Sequence, residues 1–120
     1  MMNLLNQFIL LSNQRCSRDE YKQKKRVREH NRAMTKLLAL NKIMYAQEGH
    51  SESIACTLLK HPSEKVQLSA AAYCLRAGIL EQEARIVLSN IERNSCDKIL
   101  SLDASLTAMC IFPCLETLSN

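Results

Sequence analysis

Apolar positions along this chain recur at intervals of three and four, and strict alternation never holds for five residues. That periodicity predicts helices throughout and no strand. The pattern is sharpest in HPSEKVQLSAAAYCLRAG, residues 61–78. Pro62 lacks an N–H and its ring clashes with the preceding turn, so it ends a helix running through Leu58 and Leu59. It also biases His61 away from helical dihedrals. Ser63 then offers a hydroxyl as N-cap, and Val66, Ala70, Tyr73, Cys74 and Ala77 recur on one face. Gly78 can adopt the left-handed stop, with Ile79 folding back onto the last turn. A helix, a sharp proline turn and an Ala-rich helix make one α-hairpin, and the small residues admit a close neighbour.

On either side of this hairpin the spacing predicts a short helix over residues 2–13, with Leu4, Leu5, Phe8, Ile9 and Leu11 on a broad face. A long second helix is expected over 18–47, capped by Ser17 or Asp19 and stopped by Gly49. At thirty residues it would measure about 45 Å. Val27, Asn31, Met34, Leu38 and Asn41 are expected on one side of it. Arg18, Lys25, Arg28, Arg32 and Lys36 fall on the other. A third helix opens at His50 or Ser51 and carries Ile54, Ala55, Leu58 and Leu59 inward. A fifth begins near Leu80 and ends at Asn94, with Glu81 and Glu83 at the favourable end of its dipole. The polar gap NSCD precedes a last helix over 100–112, interrupted by Pro113.

At 120 residues the chain is expected to form one domain, with N-terminal helices over 1–47 and two helical hairpins over 51–112. Hydrophobic content of 47% with two Gly and two Pro favours a helical bundle or short solenoid, and the absence of Trp leaves Leu, Ile, Ala, Met and Cys to fill its core. The formal charge of +4 is too mild for a committed nucleic-acid binder. Its distribution matters more. Between Arg15 and Lys36 nine Lys or Arg stand against Asp19, Glu20 and Glu29, whereas the remainder carries seven basic and nine acidic residues. The positive field belongs to one element.

The six cysteines lack a secretory leader, since MMNLLNQFILLS has no charged start and no small-residue cleavage site. Cys56, Cys74 and Cys110 sit among apolar neighbours, as buried thiols do. A reduced, cytoplasmic protein is expected, with no segment able to span a bilayer.

Most chemistries are disfavoured by spacing. No C-x-x-C occurs, Cys110 and Cys114 straddle Pro113, and His30, His50 and His61 each lack a companion at helical spacing, so no metal or other cofactor is expected. His61 lies five residues from Cys56, but a histidine at a helix terminus more simply covers or hydrogen-bonds that terminus. The carboxylates are scattered and surface-patterned, leaving no acid–base pair. Gly49 and Gly78 are isolated, so no phosphate loop exists. Neither an enzyme nor a small-molecule substrate is expected. The basic stripe Lys25, Arg28, Arg32 and Lys36 is the candidate partner-binding surface, facing phosphates or an acidic protein. Only Tyr21 is near enough to stack on a base, which disfavours nucleic acid.

The segment LLKHPSEKVQLSAAAYCL resembles a HEAT-type repeat, whose inner helix opens with Pro, then Val-Arg, then paired Ala; Gln67 stands where that Arg would be. Over residues 20–112 the order of features is similar to a small HEAT-related bacterial domain family. These features are Asn31-Arg32, His61-Pro62, Val66, Ala70-Ala71, Ala84, Leu88, Leu102-Asp103-Ala104 and Leu106. The resemblance implies an all-α fold, a short HEAT-like solenoid or antiparallel bundle of about six helices. Some relatives look like immunity proteins of contact-dependent growth inhibition toxins, so it also implies an antitoxin that occludes a toxin domain, such as a nuclease. The alternative is a HEAT-like module that binds nucleic acid or serves as a scaffold.

Overall fold

The computed structural model describes residues 3–47 and 50–109, without the side chains of residues 50 and 51. Among the described residues six α-helices carry the fold: α1 (Leu4–Ser12), α2 (Lys24–Ala46), α3 (His50–Leu59), α4 (Glu64–Ala77), α5 (Glu81–Asn94) and α6 (Lys98–Met109). A 3₁₀ turn over Glu20–Lys22 precedes α2, and no strand occurs among the described residues. Expectations resting on Gly49, Cys110, Phe112, Pro113 and Cys114 lie outside the described residues.

The α4 helix is the hub, packed against α1, α3, α5 and α6. Val66, Leu68, Ser69, Ala70, Ala71, Ala72, Tyr73 and Cys74 are all buried, so almost every side of it faces protein. Its short side chains make this possible, because a ring of Ala and Ser lets surrounding backbones approach while Leu68 and Tyr73 fill the gaps. Both ends follow from local sequence. Ser63 is extended (φ −80°, ψ 124°) and its hydroxyl accepts from the Val66 N–H at 3.5 Å. Gly78 takes the left-handed conformation (φ 69°), and the Ile79 N–H returns to the Cys74 carbonyl at 3.0 Å. Ile79 itself packs on the core, as a residue folding back over the last turn should.

Two expectations about α2 need correction. The long helix does not begin at residue 18. Residues 13–23 instead cross back over the start of a 23-residue helix about 35 Å long. Neither Ser17 nor Asp19 caps α2; Gln23 occupies that position without a side-chain bond. What holds the crossing segment is a set of contacts, some local and some between residues distant along the chain, centred on Arg26 and Glu20. The Arg26 guanidinium donates to the Gln14 carbonyl at 3.1 Å and to the Glu20 carboxylate at 2.7 Å. Glu20 Oε1 also accepts from the Ser17 N–H at 3.0 Å and from Lys65 of α4 at 3.3 Å.

The inward face of α2 is also rotated. Ala33, Leu37, Leu40, Asn41 and Met44 are buried, whereas Asn31 and Leu38 are exposed. At about 100° per residue the true face lies roughly a quarter turn from the expected one. Packing of α1 on one side of α2, together with the crossing segment, determines this rotation.

The helix α6 starts two residues earlier than expected. Asp97 Oδ1 accepts from the Ile99 N–H at 2.9 Å and the Leu100 N–H at 3.2 Å, so the polar gap already contains the cap. Its other oxygen accepts from the Arg18 N–H at 3.0 Å, tying the crossing segment to α6. Leu80, just before α5, is the one non-glycine with positive φ (46°) among the described residues, held there by packing on the core.

Candidate functional site

Lys25, Arg28, Arg32 and Lys36 are all exposed on α2. Their spacing of three, four and four residues lays them along one face over about 16 Å. None of them forms an ion pair among the described residues, whereas Arg26 and Lys65, from the same basic neighbourhood, are tied to Glu20. The cationic run therefore divides in two. Arg26 is a structural brace, and the four stripe residues stand in solvent. Arg18, expected on the same face, lies before the 3₁₀ turn and not on α2.

A second feature lies on the flank of α2. There α2, α4, α6 and the crossing segment enclose an open groove of about 500 Å³. Arg15, Tyr21, His30, Arg76 and Asp103 supply its polar lining; Met34, Leu38, Ala72 and Leu106 supply apolar walls. Arg15 reaches it from the loop after α1, with its Nε donating to Ser69 Oγ of α4 at 2.9 Å. Burial pushes the Arg15 guanidinium down from its ordinary value, with Asp103 opposing that shift and Arg76 adding to it. No carboxylate pairs with Arg15 among the described residues.

His30 projects into the groove from α2, and its Nδ1 accepts from the Cys16 N–H at 2.9 Å. Burial and the nearby Arg15 both lower its pKa, so the ring is neutral at pH 7. With Nδ1 acting as acceptor, the proton resides on Nε2. Tyr21 lies beside it, ring centroids 5.7 Å apart and tilted by 51°. Asp103 of α6 is half-buried, and burial raises its pKa against the pull of Arg15 and His30.

Sequence reasoning missed this groove. Arg15, His30, Arg76 and Asp103 come from four separate segments, and a scattered pattern of carboxylates does not set Asp103 apart. The available signal was a single acid on the apolar helix containing Leu100, Leu102 and Ala104.

His61 plays a local role. Its Nδ1 accepts from the Ser63 N–H at 3.0 Å, and its carbonyl accepts from Gln67 Nε2 at 2.6 Å. The imidazole thus belongs to the proline turn, and Gln67 braces that turn. Cys16, Cys56, Cys74 and Cys96 carry free thiols. Among the described residues no three His, Cys, Asp or Glu side chains converge as metal ligands would, and no helix is long and apolar enough to cross a membrane. No family model matches the chain, and neither a curated protein nor a solved structure does.

Proposed function

We propose that this chain is a binding module of the immunity type, a one-domain HEAT-like helical stack that recognises a toxin domain and neutralises it by steric occlusion. The observation that carries the reading is the α2 stripe. Lys25, Arg28, Arg32 and Lys36 are exposed and form no ion pair among the described residues. Cations held this way raise the encounter rate with an acidic surface and select against basic ones. An occluding contact needs about 800 Å² from each partner, roughly a tenth of the 7333 Å² that this chain exposes.

The packing of α3 on α4, α4 on α5 and α5 on α6 supports two stacked hairpins. The sequence resemblance supports the immunity role. Catalysis has less support, because the groove's imidazole has one nitrogen engaged by a backbone amide and, among the described residues, no thiol or hydroxyl hydrogen-bonds to it.

The test is co-expression with the product of the adjacent upstream reading frame, assayed for toxicity on its own. The expected result is a stable complex in which toxin activity is lost. A complex that leaves the toxin active would overturn the occlusion. Binding to generic duplex DNA with a steep salt slope, and to no protein, would assign the stripe to phosphates instead.

A further inference from the structure

The groove beside α2 differs in chemistry from the stripe on its back, and it stands independently of any protein partner. Its charged lining is two guanidiniums against one carboxylate, with hydroxyls of Tyr21, Ser69 and Thr107 able to donate beside them. Arg15 spends Nε on Ser69 and forms no ion pair among the described residues; Asp103 shares the groove with it but does not reach it. Because His30 Nδ1 accepts from the Cys16 amide, the free edge of the imidazole presents an N–H. Arg76 adds a second guanidinium to the lining, against one carboxylate, Asp103. A desolvated cation without a paired anion is costly, and a bound anion relieves that cost.

We propose that this groove is a binding site for an organic oxyanion, a carboxylate or phosphate monoester with an apolar body. The charged end meets Arg15 and the His30 Nε2–H. An Arg fork matches both oxyanion geometries, because each offers two oxygens to parallel N–H groups. The apolar body lies along Met34, Leu38 and Leu106. A volume of about 500 Å³ falls within the range of small-molecule sites and exceeds the needs of a bare inorganic ion. Asp103 sets the selectivity: it repels the ligand's charge, and so penalises anions that do not seat fully on Arg15.

The experiment is an NMR titration of the isotope-labelled chain with hexanoate, phenyl phosphate and the uncharged analogue hexanol. The expected result is saturable shifts at His30, Tyr21 and Thr107 with at least one of the two anions and none with hexanol. The preferred anion then tells carboxylate from phosphate. Arg15→Met is expected to weaken binding by about tenfold or more, the loss of a charge-assisted hydrogen bond. Asp103→Asn is expected to tighten it, a gain that an unfolded variant could not produce. Absence of saturable shifts with both anions, equal response to hexanol, or unchanged affinity in Asp103→Asn would overturn the site. So would unchanged affinity in a folded Arg15→Met.

Discussion

Asn41 of α2 and Arg76 of α4 meet across the helix interface. With its carbonyl turned toward Arg76, Asn41 accepts from Nη1 at 3.1 Å and donates to the Leu37 carbonyl at 3.2 Å. Asn41 is 0% exposed, whereas Arg76 is half-buried on the wall of the groove, so the buried amide finds its partner at the groove's edge. Such a bond ties α2 to the C-terminal end of α4, and a rotation of α2 that moved the amide away would leave it buried without a partner. Asn41→Leu keeps the volume and removes an acceptor from Arg76. The expected loss is about 1–3 kcal/mol of stability, read as a lower urea midpoint with unchanged slope.

Glu20 gives the fold a signature at acid pH. The Ser17 N–H and then Arg26 hold its carboxyl down at about 2, against an ordinary value of 4.5. The folded state thus favours the ionised form. Its contribution is fully present above about pH 4.5 and is lost as pH falls toward 2. The pair is solvent-accessible, so the effect is on the order of 1 kcal/mol. Urea melts of wild type and Glu20→Gln between pH 2 and 6 are expected to converge at the acid end. A constant gap across that window would remove Glu20 from the acid response.

The α4 helix was legible because every signal that defines it is local: Pro62 to break, Ser63 to cap, Gly78 to stop, and small residues between. Its burial on nearly all sides follows from the same composition. The phase of α2 was not legible. Val27, Met34 and Leu38 are as hydrophobic as Ala33, Leu37 and Leu40, so periodicity alone does not choose between faces. What chooses is the packing of α1 together with the segment over residues 13–23, held by Arg26 to Gln14 and by Glu20 to Lys65, pairs that no helical periodicity contains. The groove was hidden for the same reason, since the face expected to be core became one of its walls.

Gly78 tests how far the α4 stop depends on backbone alone. A Cβ built at this position meets only Glu81 Oε1, at 3.9 Å, so there is room for a side chain. The backbone at φ 69° is what disfavours one. Gly78→Ala is therefore expected to cost about 1–2 kcal/mol through conformational strain without a cavity or clash. Thermal unfolding would show it. A neutral substitution would mean that the α4–α5 turn readjusts freely.

The thiols separate by environment. Cys74 is buried and its pKa is pushed up to about 12 by desolvation, while Cys96 is exposed. Burial also raises Cys16, whose Sγ donates to the Arg26 carbonyl at 3.3 Å. Since the thiolate is the reactive form, iodoacetamide at pH 8 followed by peptide mapping should modify Cys96 before Cys16, Cys56 and Cys74. Cys16 and Cys74 should react only as the chain unfolds. Early labelling of Cys74 would show that α4 opens locally.

The stripe makes its own kinetic prediction. Arg28 and Arg32 are exposed and form no ion pair among the described residues, so reversing them removes no bond that holds the fold. Arg28→Glu with Arg32→Glu should change stability by less than about 1 kcal/mol. Its effect on a partner is long-range: two reversed charges change the field at the moment of encounter. The association rate at low salt is therefore expected to fall by about tenfold or more. The gap should narrow as salt shortens the screening length to a few Å. Stopped-flow association with the partner captured in the co-expression test, across a salt series, reads both quantities. A slower dissociation-side change with an unaltered association rate would place the contact elsewhere, because steering acts before the surfaces touch.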